Sequence, residues 1–286
     1  MRIDSPTHRF LRTAAMCVAL AACATPGQAQ VSAQAPAGAT YADLASLVEA
    51  APVVARVQVR DQAALKPVRA PGVAPGDVRL YLETRTEAAL KAPAALGETF
   101  AYLVDVPADA KGKAPKLKKQ SVLVFARPVP GNPGQLQLVE PDAQIAADPQ
   151  TEGRVRAIIA EFAKADAPPR ITGVRDAMSV VGNLAGESET QLFLDTADGT
   201  PVSLTVLRRP GMPPSWGVAW TELVDQAARP PEPGTLAWYR LACSLPAELP
   251  RRAFLQREAA AQAQARADYA LVLEQLGPCE RSRQPD

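Results

Sequence analysis

The chain has 286 residues, 47% of them hydrophobic and 21% charged, with a formal net charge of +1. That apolar content is enough to bury real cores, and the length allows two domains of ordinary size. Balanced charge excludes a large field of one sign of the kind that recruits nucleic acid or anionic lipid.

In chain order, the first thirty residues read as a bacterial secretory signal. Arg2, Arg9 and Arg12 make a positive start, residues 13–22 are apolar and uncharged, and small residues follow. The apolar stretch is shorter than the roughly 20 residues a membrane span needs. Two exits are open. Leu20-Ala21-Ala22-Cys23 matches a lipobox, with lipidation at Cys23 and an outer-membrane lipoprotein as the product. Gly27-Gln28-Ala29 suits ordinary cleavage after residue 29 and a periplasmic protein. Residues 30–40 then form a flexible tether.

Thr40-Tyr41-Ala42-Asp43 has capping-box spacing, and Tyr41, Leu44, Leu47 and Val48 recur at helical intervals over 41–50. Pro52 ends that helix. Ala55, Val57 and Val59 alternate with polar residues as a strand; Val78, Leu80 and Leu82 mark a second, with a Pro- and Gly-containing loop over 67–77 between them. Phe100, Tyr102, Val104 and Val106 mark a third strand, 121–126 a fourth, and Leu136 with Leu138 a fifth. Asp148-Pro149 opens a helix carrying Val155, Ile158, Ile159 and Phe162 on one face.

Short strands flanked by helices predict a small barrel over 41–165. This segment resembles the OB-like barrels of exported bacterial proteins related to the netrin-like and metalloproteinase-inhibitor modules. The resemblance rests on Ala51-Pro52-Val53-Val54-Ala55, Thr86-Glu87-Ala88-Ala89-Leu90-Lys91 and Val122-Leu123-Val124-Phe125. The Cys anchors of that family do not occur in this segment.

Ala167-Pro168-Pro169 marks a boundary, and 171–279 reads as a second, β-rich domain. Residues 190–195 and 202–208 flank Asp198-Gly199, a hairpin signal. Trp216, Val218 and Trp220 alternate on a further strand, and Thr235 caps a short helix ending at Cys243. A terminal helix spans about 251–276, stopped by Gly277-Pro278, and residues 280–286 form a disordered tail. The fold class is therefore α+β: an OB-like barrel with flanking helices, then a compact β-rich unit closed by a C-terminal helix.

The chemistry is bounded first by histidine. The single His8 leaves with the signal, which removes Ser-His-Asp and Cys-His pairs, imidazole bases and His metal ligands. Cys243 and Cys279 remain as an even pair in an oxidising compartment and predict one disulfide. Ser-x-x-Lys, GxSxG, GxGxxG and GxxxxGK do not occur. The run Lys111, Lys113, Lys116, Lys118 and Lys119 reads as a solvated loop. Glu187, Glu189, Asp195 and Asp198 form an acidic cluster. Aligned as a calcium loop, it places Leu194 and Thr205 where carboxylates are required. Arg208 and Arg209, with Trp216 and Trp220, are the candidate binding patch, set against a core role for both indoles.

The expectation is a non-catalytic periplasmic binding or interaction module without cofactor or metal. Its partner is a protein or a small molecule, not nucleic acid, and it meets a membrane only if lipidated at Cys23. Two alternatives stand beside it: a hydrolase using only carboxylates on cell-wall glycan, and a lipid-anchored envelope scaffold.

Overall fold

Thr40 starts the folded chain with a reciprocal cap. Its hydroxyl accepts the Asp43 N–H at 3.1 Å, and its own N–H donates to Asp43 Oδ2 at 2.9 Å. Helix α1 (Tyr41–Ala50) follows, burying Leu44, Leu47 and Val48. The computed structural model describes residues 38–221 and 229–283. The expected signal, the tether up to residue 37 and Cys23 lie outside the described residues.

Five strands close into a mixed barrel: β1 (Val53–Ala64), β2 (Asp77–Lys91), β3 (Thr99–Pro107), β4 (Ser121–Val129) and β5 (Asn132–Leu138). Their order is β1-β2-β3-β5-β4, with β4 returning to β1. All pairings are antiparallel except β3 with β5. This closed barrel is compatible with an OB-like one. A short β6 (Gln144–Ala146) pairs with β4. Closure demands strong curvature, and β1 supplies it through register shifts at Val54/Ala55, Arg56/Val57 and Val59/Asp61. Residues Val122 to Ala126 of β4 are all buried, because one face lines the barrel and the other lies under α1.

Helix α2 (Pro149–Phe162) has Asp148 as its N-cap, accepting the Thr151 N–H at 2.9 Å. Its Glu152 is bound by Arg156 at 2.7 Å and by Arg56 of β1 at 2.9 Å, which fixes the helix to the barrel wall. Lys91, at the end of β2, donates to Val48 O at 2.8 Å and so caps the C-terminus of α1. Burial lowers the Lys91 pKa, against the pull of nearby Glu49.

Beyond the boundary, β7 (Ile171–Val181), β8 (Ser188–Thr196), β9 (Val202–Arg208) and β10 (Ser215–Ala219) form an antiparallel meander. Val174, Leu192, Leu194, Leu204, Val206 and Trp216 are buried on its inner face. Helix α4 (Ala259–Leu276) lies across β7 and β8. Between this layer and the barrel helices sits α3 (Leu236–Ala242), which touches α1, α2 and α4. Residues 38–221 and 229–283 thus belong to one compact unit in which barrel and sheet interiors join.

Sequence alternation misses β7, whose buried residues Ile171, Val174, Ala177 and Ser179 fall at uneven spacing. Register shifts at Ile171/Gly173 and Val174/Asp176 break its period of two. The terminal helix also begins later than expected. Residues 254–256 instead run along the β7 edge: Leu255 N–H donates to Ala177 O at 3.1 Å, and the Gln256 side chain bonds both backbone groups of Ser179. Covering an open sheet edge outweighs local helix propensity there.

Past the disulfide, Ser282 donates to Asp43 Oδ2 through its N–H at 3.0 Å and its hydroxyl at 2.7 Å. Arg283 reaches Glu140 at 3.0 Å and Asp142 at 2.6 Å. Burial alone would raise the Asp43 pKa, but the hydrogen bonds from Ser282 and Thr40 outweigh it, and the net shift is downward. A depressed carboxylate stabilises the fold above its unfolded pKa, near 4, and loses that contribution as pH falls through the folded value. Asp43→Asn should therefore lose about 1–2 kcal/mol at pH 7. Urea melts at descending pH check this: the deficit must narrow below about pH 4.

Candidate functional site

The two indoles of the predicted patch are taken up by the core, while both arginines border one cavity. Trp216 is 4% exposed, and its Nε1 donates to Gln275 Oε1 of α4 at 2.9 Å. Trp220 is half-buried against the core. Arg208 turns to the inner face of the sheet, where its Nε meets Asp268 Oδ1 at 2.6 Å. Asp268 is fully buried and also accepts from Thr190 Oγ1 and Gln264 Nε2; Thr190 Oγ1 lies 2.9 Å from Ser179 Oγ. Arg208 therefore works as the positive half of a polar knot that locks α4 onto the meander. Arg209 borders a cavity of about 430 Å³ on the outer face, which Arg208 also reaches, with Met178, Val180, Val181 and Leu207 as its apolar residues.

The acidic residues divide in the same way. Glu187 and Glu189 both border that cavity. Glu187 accepts the Leu184 N–H at 3.2 Å and Glu189 accepts from Gln191 at 2.8 Å. Gly182 packs against Glu187 so tightly that an added Cβ would sit 2.4 Å from its Cγ. Asp195 lies toward the other end of β8, roughly 26 Å from Glu187 at about 3.3 Å per residue. Asp198 accepts the Thr200 N–H at 3.1 Å within its own turn, beside Gly199 at φ +79°. No group of three or more metal-binding side chains occurs among the described residues. Cys243 and Cys279 are joined by a disulfide, with Cα atoms 5.1 Å apart.

A larger concavity lies on the barrel, where the sequence marks no site. It is a groove of about 1190 Å³ on the outer face of β2, β3 and β5, rimmed by Ala63 and Ala64 at the end of β1 and by Leu65, Lys66 and Arg69 of the β1–β2 connection. The outward-facing Arg79, Tyr81, Leu103, Gln135 and Gln137 supply much of its surface, and the buried Tyr102, Leu136 and Leu138 also border it. Strand alternation puts Leu80, Leu82, Tyr102 and Val104 inside and these outside. Arg79 grips Asp105 with two bonds of 2.7 Å, and this raises the Arg79 pKa further. Glu140, at the far rim, is held by Arg283. Both groove carboxylates are thus held in salt bridges. Leu103 is 44% exposed, a large apolar side chain at an outward position. One signal in the sequence could have found it: Leu103 falls out of phase with Phe100, Tyr102, Val104 and Val106.

No protein family matches this chain, and no curated protein matches it. None of the helices in the described residues is long and apolar enough to cross a membrane. The disulfide is compatible with a place outside the cytoplasm.

Proposed function

We propose that this protein is a non-catalytic binding module of the bacterial periplasm, holding its ligand on the β2–β3–β5 face of the barrel. The observation that carries the reading is the groove itself. Helices α1 and α2 pack elsewhere on the barrel, against β4 and β2, and this face keeps an exposed Leu103 beside Tyr81 and two glutamine amides. An apolar floor with a few placed polar groups is the usual make-up of a ligand site. In OB-like barrels the same face, with the β1–β2 and β4–β5 loops, is where ligands dock. Export through the N-terminal signal belongs to this proposal, with the disulfide in support. So does the netrin-like kinship of residues 41–165, supported by the strand order and by α1 entering ahead of β1.

The test is a fragment screen read by amide chemical shifts. Hits should perturb Tyr81, Leu103 and Gln137 together. Leu103→Glu should weaken them at least tenfold while near-UV circular dichroism stays unchanged. Hits confined to other surfaces, or turnover of a glycan or ester, would overturn the reading.

A further inference from the structure

Exposed apolar side chains gather at one end of the meander. Seven large hydrophobics are exposed among the described residues, and four of them, Val180, Val181, Leu184 and Met212, lie there. The register brings them together. Val181 pairs with Ser188 and Ser188 with Arg208, so the β7–β8 and β9–β10 turns leave the sheet at the same end. Both turns are tight. Gly182 N–H donates to Glu187 O at 2.9 Å, closing the turn that carries Leu184. Met212 N–H donates to Arg209 O at 3.1 Å, with Gly211 at φ +73° just before it. Turns that face only water are built from small polar residues. Apolar side chains clustered on neighbouring turns mark a surface that is covered by something else.

Behind the turns, on the outer face, lies the cavity of about 430 Å³, with Val180 and Leu207 in its lining. Its charges are of both signs. Glu187 and Glu189 accept only neutral donors, the Leu184 N–H and the Gln191 amide. Among the described residues, neither carboxylate nor Arg209 takes part in a salt bridge.

We propose that this end of the meander is a self-association surface, where two copies of the chain meet about a two-fold axis. Leu184 and Met212 of each copy enter the cavity of the other, and Arg209 of each meets Glu187 and Glu189 of the other. The patch is self-complementary, as a two-fold contact requires: one surface must carry both halves of every interaction. Here it carries projecting apolar side chains and a hollow with apolar lining, a cation and two carboxylates. A membrane fits worse, because anionic headgroups repel the two glutamates beside the turns and lipid would desolvate them. Residues 254–256 already occupy the β7 edge, so the copies meet by their turns and outer faces, without joining their sheets along that strand.

Sedimentation velocity on the purified protein over a concentration series is the test. A dimer is expected. Leu184→Glu with Met212→Glu should raise its dissociation constant at least tenfold while near-UV circular dichroism stays unchanged, since both side chains are exposed in the single chain. Arg209→Glu alone should also weaken the dimer at least tenfold. Adding Glu189→Arg should bring it back to within about threefold, because each swapped charge then faces a swapped partner. A protein still monomeric at about 1 mM overturns the proposal. So does a dimer indifferent to the Leu184 and Met212 changes, a charge swap that restores nothing, or a monomer that binds phosphatidylglycerol vesicles. The barrel groove is tested separately: fragments can perturb Tyr81 and Leu103 whether or not the protein dimerises.

Discussion

Arg240→Ala should cost about 3–5 kcal/mol of folding stability, because it strands a charge in the layer that joins barrel to sheet. Arg240 is 7% exposed. Its Nη1 meets Glu49 Oε1 at 2.6 Å, its Nε donates to Pro168 O at 3.1 Å, and its guanidinium lies 5.1 Å from the Phe162 ring centroid. From α3 it therefore reaches α1, α2 and the segment that links α2 to β7 at once. Tyr239 adds a hydroxyl bond to Glu49 at 3.2 Å, and Glu161 of α2 accepts both Tyr41 Oη at 2.9 Å and Leu236 N–H at 2.7 Å. Removing the cation leaves Glu49 and the Pro168 carbonyl without it, and desolvation dominates the loss. Urea denaturation measures it. The double variant Glu49→Gln with Arg240→Met should recover part of the deficit, since neither residue then needs a counter-charge. A single-variant cost below about 1 kcal/mol, the range of surface pairs, would show that this layer carries little load.

Removing the disulfide is the second large effect. Cys243 ends α3 and Cys279 follows α4, 36 residues later. Closing a loop of that size restricts the unfolded chain by about 4 kcal/mol in the chain-entropy account. The bond also sits where three other contacts meet. Trp238 Nε1 donates to Leu276 O at 2.8 Å, Trp238 packs edge-on to Tyr41, and Arg281 reaches Ser46 Oγ at 2.9 Å. Cys243→Ala with Cys279→Ala should lower the denaturation midpoint by the equivalent of about 2–5 kcal/mol. Hydrogen exchange should speed up first in α3, in α4 and at Ser282. Unchanged exchange at Ser282 would show that the clamp on Asp43 holds without the covalent link.

Much of the architecture is legible in the residues. The capping box at Thr40, the Asp148-Pro149 start, the Asp198-Gly199 turn and the Gly277 stop are local signals, and each sits at the predicted end of an element. The disulfide joins the two thiols that the sequence offers as an even pair. Where bulges intervene, as in β7, period-two reading fails because the backbone changes which residues face inward. Where an edge must be covered, as at 254–256, a tertiary hydrogen bond wins over helix propensity.

The site is less legible for a related reason. Arg208 and Trp216 look like recognition residues by type, but α4 supplies Asp268 and Gln275, and these turn both into structural groups. Leu103 and Tyr81 look like ordinary strand residues, and barrel closure leaves them on an uncovered face. The sequence by itself determined the elements, the barrel-forming alternation and the thiol pair, because those depend on neighbours a few residues apart. Only the tertiary structure decided which charges are spent in pairing and which barrel face stays uncovered, because both depend on partners brought together from distant parts of the chain.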